Sequence, residues 1–258
     1  MDLHHNKHHK YPANMIPVQA MDNPDPNYYS CTDNTSLNVY CRAKDGVIQE
    51  YLKPTPFEFV SNDFLVYISD MRKSSFELGG FYDIGIVIPV KYKDIYGGNV
   101  LFEFESEDWG IACGREVWGY PKKFADATIE EKDGKVVAST IKRGVEIIHL
   151  EVDFSRPPQS KLPDFKLNPH MQLHTIPEPD GHGIYMQRLL MRDASPNYVS
   201  KRCDYGFGVA EFKSLLHTPL ADFNPEEVYG ASFTIGDSAA TEEHGPATCL
   251  EMIVKPKF

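Results

Sequence analysis

Ala127-Thr-Ile-Glu-Glu-Lys-Asp-Gly-Lys-Val-Val-Ala-Ser-Thr140 is the stretch that decides the fold. Two strand-like runs flank Asp133-Gly134, and that dipeptide is a strong short-range signal for a two-residue hairpin, because both positions tolerate the positive φ of a tight turn. The reading is antiparallel pairing, and it extends in both directions. Upstream, Phe64-Leu-Val-Tyr-Ile68 and Ile84-Gly-Ile-Val-Ile-Pro-Val90 are apolar, β-branched runs of strand length. Asn99-Val-Leu-Phe-Glu-Phe-Glu105 alternates apolar and acidic residues near its end, the pattern of a half-buried strand. Downstream, a strand is expected over 145–154, then a loop punctuated by Pro157, Pro158 and Pro163. A strand-rich stretch over 171–190 is broken by Pro177-Glu-Pro-Asp-Gly181. Residues 209–216 read as strand or short helix, and 231–235 and 249–254 as closing strands. A short helix fits 45–52, ended by Lys53-Pro-Thr-Pro56, because proline disfavours helix in the residue before it. There is no fixed-period repeat and no βα alternation. The expectation is a mainly β fold with minor helices, one domain over 36–258, preceded by an extended Asn/Asp/Pro-rich arm over 1–35.

Composition narrows the function classes. The chain of 258 residues is 41% hydrophobic and 12% aromatic, enough for a sizeable core, and 24% charged, near the globular average. A net charge of −11 argues against nucleic acid as partner, since phosphates call for a basic surface. It leaves room for a small anion in a locally cationic pocket. Cys31, Cys41, Cys113, Cys203 and Cys249 lack the close spacing of a zinc or redox motif and read as buried free thiols. The start of the chain shows no apolar secretory core, and no apolar run approaches the ~20 residues of a membrane helix. The expectation is a soluble, cytoplasmic protein. His4, His5, His8 and His9 read as a solvated tail rather than a metal site.

The chemistry is concentrated in Gly114-Arg-Glu-Val-Trp-Gly-Tyr-Pro-Lys-Lys123. A lysine amine attacks a ketone only when uncharged, and its ordinary pKa of ~10.4 leaves roughly four molecules in ten thousand reactive at pH 7. Burial or a second cation lowers that value by several units. Lys122 and Lys123, preceded by Trp118, Tyr120 and Pro121, offer both routes. If residues 120–123 are extended, the two lysines diverge, and burial is then the larger cause. A protonated imine on Lys122 would withdraw electrons from a β-carboxylate bond and let carbon dioxide leave.

Gly-Arg-Glu-x-x-x-Tyr-Pro-Lys-Lys resembles the active-site signature of the acetoacetate decarboxylase family, intact here from Gly114 to Lys123. Leu78-Gly-Gly-Phe-Tyr-Asp-Ile-Gly-Ile-Val-Ile-Pro-Val90 is similar to the family segment with a pocket carboxylate, which falls on Asp83 where the family usually has Glu. Ile176-Pro-x-x-Asp-Gly181 and Leu216-His-x-Pro-Leu220 are weaker likenesses, and the resemblance spans roughly 35–255. It implies paired curved sheets forming a cone or barrel, a homo-oligomer, Lys122 as the imine-forming residue, Lys123 as the neighbour invoked to depress its pKa, and Asp83 as a third catalytic group. Two family features have no counterpart: an arginine aligned near Asn34 and a glutamate aligned near Tyr67 or Ile68. With Asp for Glu at 83, these departures point to a substrate different from acetoacetate, since a shift of ~1 Å in a catalytic group costs about a hundredfold in rate.

Among neighbouring residues, Trp118 and Tyr120 read as apolar pocket wall against substrate. Arg115 and Glu116 read as substrate contacts or, preferably, as a buried ion pair supporting the lysine strand. His149, His170, His174 and His217 have no triad or zinc spacing and read as structural. Gly79-Gly80 and Gly97-Gly98 read as turns; no phosphate-cradling loop is present, so neither a cofactor nor a metal is expected. The functional expectation is a Schiff-base lysine enzyme that decarboxylates a β-keto acid. The alternatives are a Schiff-base aldolase-dehydratase or cyclase, and a non-catalytic carbonyl-binding protein.

Overall fold

The computed structural model describes residues 27–71, 73–74 and 80–256. The His-rich tract, and Leu78 and Gly79 of the glycine-pair segment, lie outside these described residues. Strand pairing organises nearly everything else. In chain order the elements are β1 (Asn27–Arg42), α1 (Val47–Leu52), β2 (Glu58–Phe59), β3 (Asp63–Asp70), β4 (Lys73–Ser74), β5 (Tyr82–Tyr92) and β6 (Ile95–Glu105). Then come α2 (Asp108–Trp118), β7 (Lys122–Phe124), β8 (Asp126–Lys132), β9 (Lys135–Lys142), β10 (Val145–Asp153) and β11 (His170–Pro177). β12 (Ile184–Arg192), β13 (Val199–Phe212), β14 (Glu227–Thr241) and β15 (Thr248–Val254) complete the chain.

The fold is mainly antiparallel β, with two short α-helices among the described residues. The strands lie in the order β15-β12-β11-β6-β5-β3-β1-β14-β13-β10-β9-β8, with β2, β4 and β7 attached to β5, β1 and β6. Hydrogen bonding does not close this sheet on itself; it curls until β8 packs against β3 and β5. The hairpin at Asp133-Gly134 has φ of 53° and 77°, the doubly positive turn its sequence demands. β3 alternates part-buried and buried residues, sending Phe64, Val66 and Ile68 inward. Phe64 meets Phe223 edge-on at 5.4 Å, and Leu37, Ile86, Ile148 and Leu150 fill the surrounding core.

Several expectations change, among them Gly97-Gly98, which lies within β6 rather than in a turn. β1 begins at Asn27, so residues 27–35, read as part of an arm, pair with β14 in the sheet interior. Register shifts between Cys31 and Asn34 break the period-two pattern there, which hides the strand. β6 is not half-buried: Glu103 and Glu105 are as enclosed as Phe102 and Phe104, because β6 lies between β5 and β7 with α2 packed nearby. α2 was not expected at all. Gly110 and Gly114 are poor helix formers and interrupt its apolar stripe of Trp109 and Cys113. Residues 209–216 resolve as strand, the end of a longer β13. Cys31, Cys41 and Cys113 are buried free thiols, whereas Cys203 and Cys249 are exposed.

β6 changes partners along one edge. Gly98 pairs in parallel with His170 of β11, and Glu103 to Glu105 pair in parallel with Lys122 to Phe124 of β7. The Asn99 side chain donates to Met171 O (2.7 Å) and Gln172 Oε1 (3.1 Å), anchoring β11 beyond its single bridge.

Candidate active site

Gly119 ends α2 in the left-handed conformation (φ 74°) that glycine adopts without penalty, so the chain turns directly from helix into β7. Arg115 on α2 donates from Nη1 to the carbonyl oxygen of Lys122 (3.2 Å), tying the strand back to the helix. β7 is extended, with Lys122 buried and Lys123 partly exposed. The two lysines diverge, as alternation along a strand requires. Lys122 shares a face with Glu103 and Glu105 of β6, while Lys123 reaches out to donate to His217 O (3.0 Å).

The Lys122 ammonium is ringed by carboxyl groups. It donates to Asp83 Oδ1 (2.8 Å) and to Glu105 Oε2, and Glu103 Oε1 lies 3.2 Å away. Glu103 is 4% exposed, Glu105 1% and Lys122 9%, so this cluster lies out of bulk water. Asp83 has a second contact, accepting from the Tyr67 hydroxyl at Oδ2 (3.1 Å). Tyr67 therefore occupies the region where the resemblance placed a glutamate, while Ile68 points into the core. Asn34 bonds Ser238 Oγ (2.7 Å) and is not part of the cavity wall.

This geometry reverses the charge state expected of Lys122. Burial alone pushes Lys122 down, but Asp83, Glu103 and Glu105 outweigh it and hold the ammonium well above the ordinary lysine value. The carboxyl groups move in the other direction. Burial raises Glu103 well above the usual carboxylate range, and burial, with Asp83 and Glu107 adding, raises Glu105 to about 7 despite the opposing charge of Lys122. Lys122 rests protonated, beside at least one acid able to exchange a proton near neutrality.

These groups line a cavity of about 140 Å³. Tyr120, Trp118, His170 and Arg192 form another part of its wall. Tyr120 and Trp118 meet edge-on, with ring centroids 6.5 Å apart. The Tyr120 hydroxyl and His170 Nδ1 are 3.0 Å apart, and burial together with the charge of Arg192 depresses His170 to about 4, so its ring is neutral at pH 7. Arg192 stacks 4.2 Å over the Trp118 ring and donates from Nε to Gly245 O (2.7 Å). The cavity thus carries a carboxyl cluster around Lys122 and a cationic group, Arg192, elsewhere in its wall.

Of the residues singled out from sequence, Lys122, Asp83, Tyr120 and Trp118 converge here. Lys123, Arg115 and Glu116 do not line the cavity. Arg115 and Glu116 are both exposed and form no ion pair, because consecutive helical residues point about 100° apart. His170, read as structural, is a cavity residue. Glu103, Glu105, Tyr67 and Arg192 were missed; the one available signal was two glutamates at alternate positions in a strand too apolar to be solvated on either face. Among the described residues no cluster of His, Cys, Asp and Glu has the arrangement of a metal site, and no helix is long and apolar enough to cross a membrane.

A family model described as acetoacetate decarboxylase matches residues 11–243. An acetoacetate decarboxylase of Acidiphilium cryptum is 29% identical over 213 residues, covering 79% of this chain and 83% of that one. The crystal structure of acetoacetate decarboxylase from Legionella pneumophila superposes with a TM-score of 0.76 at 18% identity, over 95% of this chain and 99% of that one. The enduracididine biosynthesis enzyme MppR, solved in complex with pyruvate, gives a TM-score of 0.68 at 16% identity, over 86% of this chain and 89% of that one.

Proposed function

The chain belongs to the acetoacetate decarboxylase family, and from that premise we propose that it captures the ketone of a small β-keto acid as an imine on Lys122 and releases carbon dioxide from it. One observation carries the proposal: a buried lysine amine opens into a cavity with carboxyl groups in hydrogen-bonding reach. The amine forms a C–N bond to the carbonyl carbon and water leaves, giving a protonated imine. Asp83, fixed by Tyr67, stabilises that cation. The bond to the β-carboxylate then breaks, its electron pair moving through the new C=C bond onto nitrogen. The enamine takes a proton on carbon, and hydrolysis frees the ketone and regenerates Lys122.

Arg192 is the cavity group suited to the substrate carboxylate, in place of the arginine that sequence comparison sought near Asn34. Arg192→Gln is expected to raise KM for a keto acid by about 10- to 100-fold, the worth of one charge-assisted hydrogen bond, with a smaller change in kcat. Steady-state kinetics check this; an unchanged KM would show that the carboxylate binds elsewhere.

The defining experiment is borohydride reduction in the presence of acetoacetate and longer β-keto acids, with peptide mass mapping and carbon dioxide measurement. A reduced adduct on Lys122 together with gas release supports the reading. Gas release without an adduct, or an adduct on another lysine, rejects it.

A second reading has specific support. Glu103 and Glu105 supply more acid–base capacity than decarboxylation needs, and proton transfer is what aldol condensation and dehydration consume. MppR, alike in fold, is recorded with pyruvate. Carbon–carbon bond formation between pyruvate and an aldehyde, without carbon dioxide release, would select this alternative.

A further inference from the structure

Every imine mechanism at Lys122 faces one difficulty: the resting ammonium cannot attack a carbonyl, and its proton must go somewhere while the amine itself is buried. Three carboxyl groups are in reach, and their surroundings differ. Asp83 uses one oxygen for Lys122 and the other for the Tyr67 hydroxyl, which makes it a fixed partner. Glu103 lies 3.2 Å from Nζ and also has one unpartnered oxygen among the described residues, but burial raises it well above the usual carboxylate range, which suits it less to accept a proton. Glu105 accepts a hydrogen bond from Nζ, is almost wholly enclosed, and its Oε1 has no hydrogen-bond partner among the described residues. A carboxyl group with one oxygen on the ammonium and the other uncommitted can change protonation without breaking a second bond.

We propose that Glu105 is the proton relay of this site, taking the proton from Lys122 to free the amine and delivering it to the carbonyl oxygen as the imine forms. The inference rests on the imine reading of Lys122 and deepens it. The steps balance. A proton passes from Nζ to Glu105 Oε2, leaving a neutral amine and a carboxylic acid. The nitrogen lone pair forms the C–N bond while the C=O π pair withdraws onto oxygen, which takes the proton from Glu105. Glu105 next removes a second proton from the now cationic nitrogen and passes it to the hydroxyl. The C–O bond breaks, water leaves, and the nitrogen lone pair forms the C=N bond. The net change is ammonium plus ketone to protonated imine plus water, with Glu105 a carboxylate at start and finish.

The groups facing Glu105 are consistent with this role. Asp83 comes from β5, Glu103 from the same strand, Glu107 from the loop after it and Lys122 from β7. Cys113 on α2 is the remaining titratable neighbour, and burial pushes its thiol to about 12, so it stays neutral. Glu105 itself, raised to about 7, is matched to proton exchange at neutral pH.

The test is the rate of imine capture against pH, read as borohydride-reduced adduct on the Lys122 peptide of the full chain with acetoacetate as probe. The wild type is expected to gain rate as pH rises through about 7, where Glu105 ionises, and then level off. Glu105→Gln is expected to lose that rise and capture about 10²- to 10³-fold more slowly, while Glu105→Asp recovers part of the rate with a displaced profile. Unfolding temperatures of both variants identify any loss due to folding, and Glu105→Asp carries the test if Glu105→Gln does not fold. If the wild type is trapped and a folded variant keeps its rate and profile, Glu105 is not the relay, although the imine stands. If the wild type gives no adduct at all, the imine reading itself falls.

Discussion

Lys122→Met is expected to abolish borohydride-trapped adduct and to lower turnover by at least about 10⁴-fold, the scale on which loss of an essential nucleophile acts. Methionine keeps the length and apolar stem of lysine, so a fold that rests on that stem survives. What the substitution removes is the positive charge that Lys122 places within the carboxyl cluster, and this has a second consequence. In the wild type Glu105 is raised from its ordinary 4.5 to about 7 by burial. The folded state therefore holds more protons than the unfolded one across that interval, and its stability falls as pH rises from about 4.5 to 7. Lys122 opposes the shift of both Glu105 and Glu103. Without it, the folded-state values rise further and the decline extends to higher pH. Unfolding temperature against pH should be similar for the two proteins near pH 5 and diverge above pH 6, with the variant lower. Superimposable curves would mean that the cluster in solution is not built around the ammonium.

Gly110→Ala and Gly114→Ala are expected to reverse the usual sign of a helical glycine substitution. In an isolated helix alanine gains about 1 kcal/mol over glycine. Here a Cβ at Gly114 would lie 2.6 Å from Lys122 Cδ and 2.7 Å from Cε, and a Cβ at Gly110 would coincide with the Glu105 carboxyl group. Either side chain can retreat only into the cavity it lines, which breaks its place in the carboxyl cluster. Overpacking of this kind costs about 1–3 kcal/mol, so a net loss of stability is expected. Activity should suffer more: displacing the amine by ~1 Å is worth about a hundredfold, so Gly114→Ala is expected to lose at least that much in kcat/KM. Calorimetry and steady-state kinetics on the two single variants measure both effects. A Gly114→Ala protein that is more stable and fully active would show that the helix does not confine Lys122.

The same glycines explain what the sequence conceals. Asp133-Gly134 announces its hairpin because turn chemistry is local, and Phe64 to Ile68 announces a strand because one of its faces is core. α2 is silent because the residues that let it approach Lys122 and Glu105 are the two that weaken its helical signature. β1 is masked by its bulges. Within the site, Lys122, Asp83, Tyr120 and Trp118 were reachable from one motif and one neighbouring segment. Glu103 and Glu105 were visible as letters, but an acidic residue alternating with apolar ones reads as solvent-facing until the strands on both sides are known. Arg192 and His170 come from strands some 50 to 70 residues beyond the lysine, and only the folded chain brings them to it. The charge state of Lys122 was misread for the same reason: it depends on three carboxyl groups contributed by two other strands.

The exchange of partners along the edge of β6 has a consequence for how such a protein can diverge. The cavity sits at a seam, where β11 lets go of β6 and β7 takes over, so much of its wall, including the carboxyl cluster and Lys122, comes from strand residues, with α2 supplying Trp109, Cys113 and Trp118. Lengthening or shortening a surface loop leaves this seam untouched. Exchanging the side chains at 103 and 105 alters the acidity around the amine while the backbone that carries the amine stays in register. Two positions on one strand therefore set the surroundings of Lys122 independently of the strand that carries it.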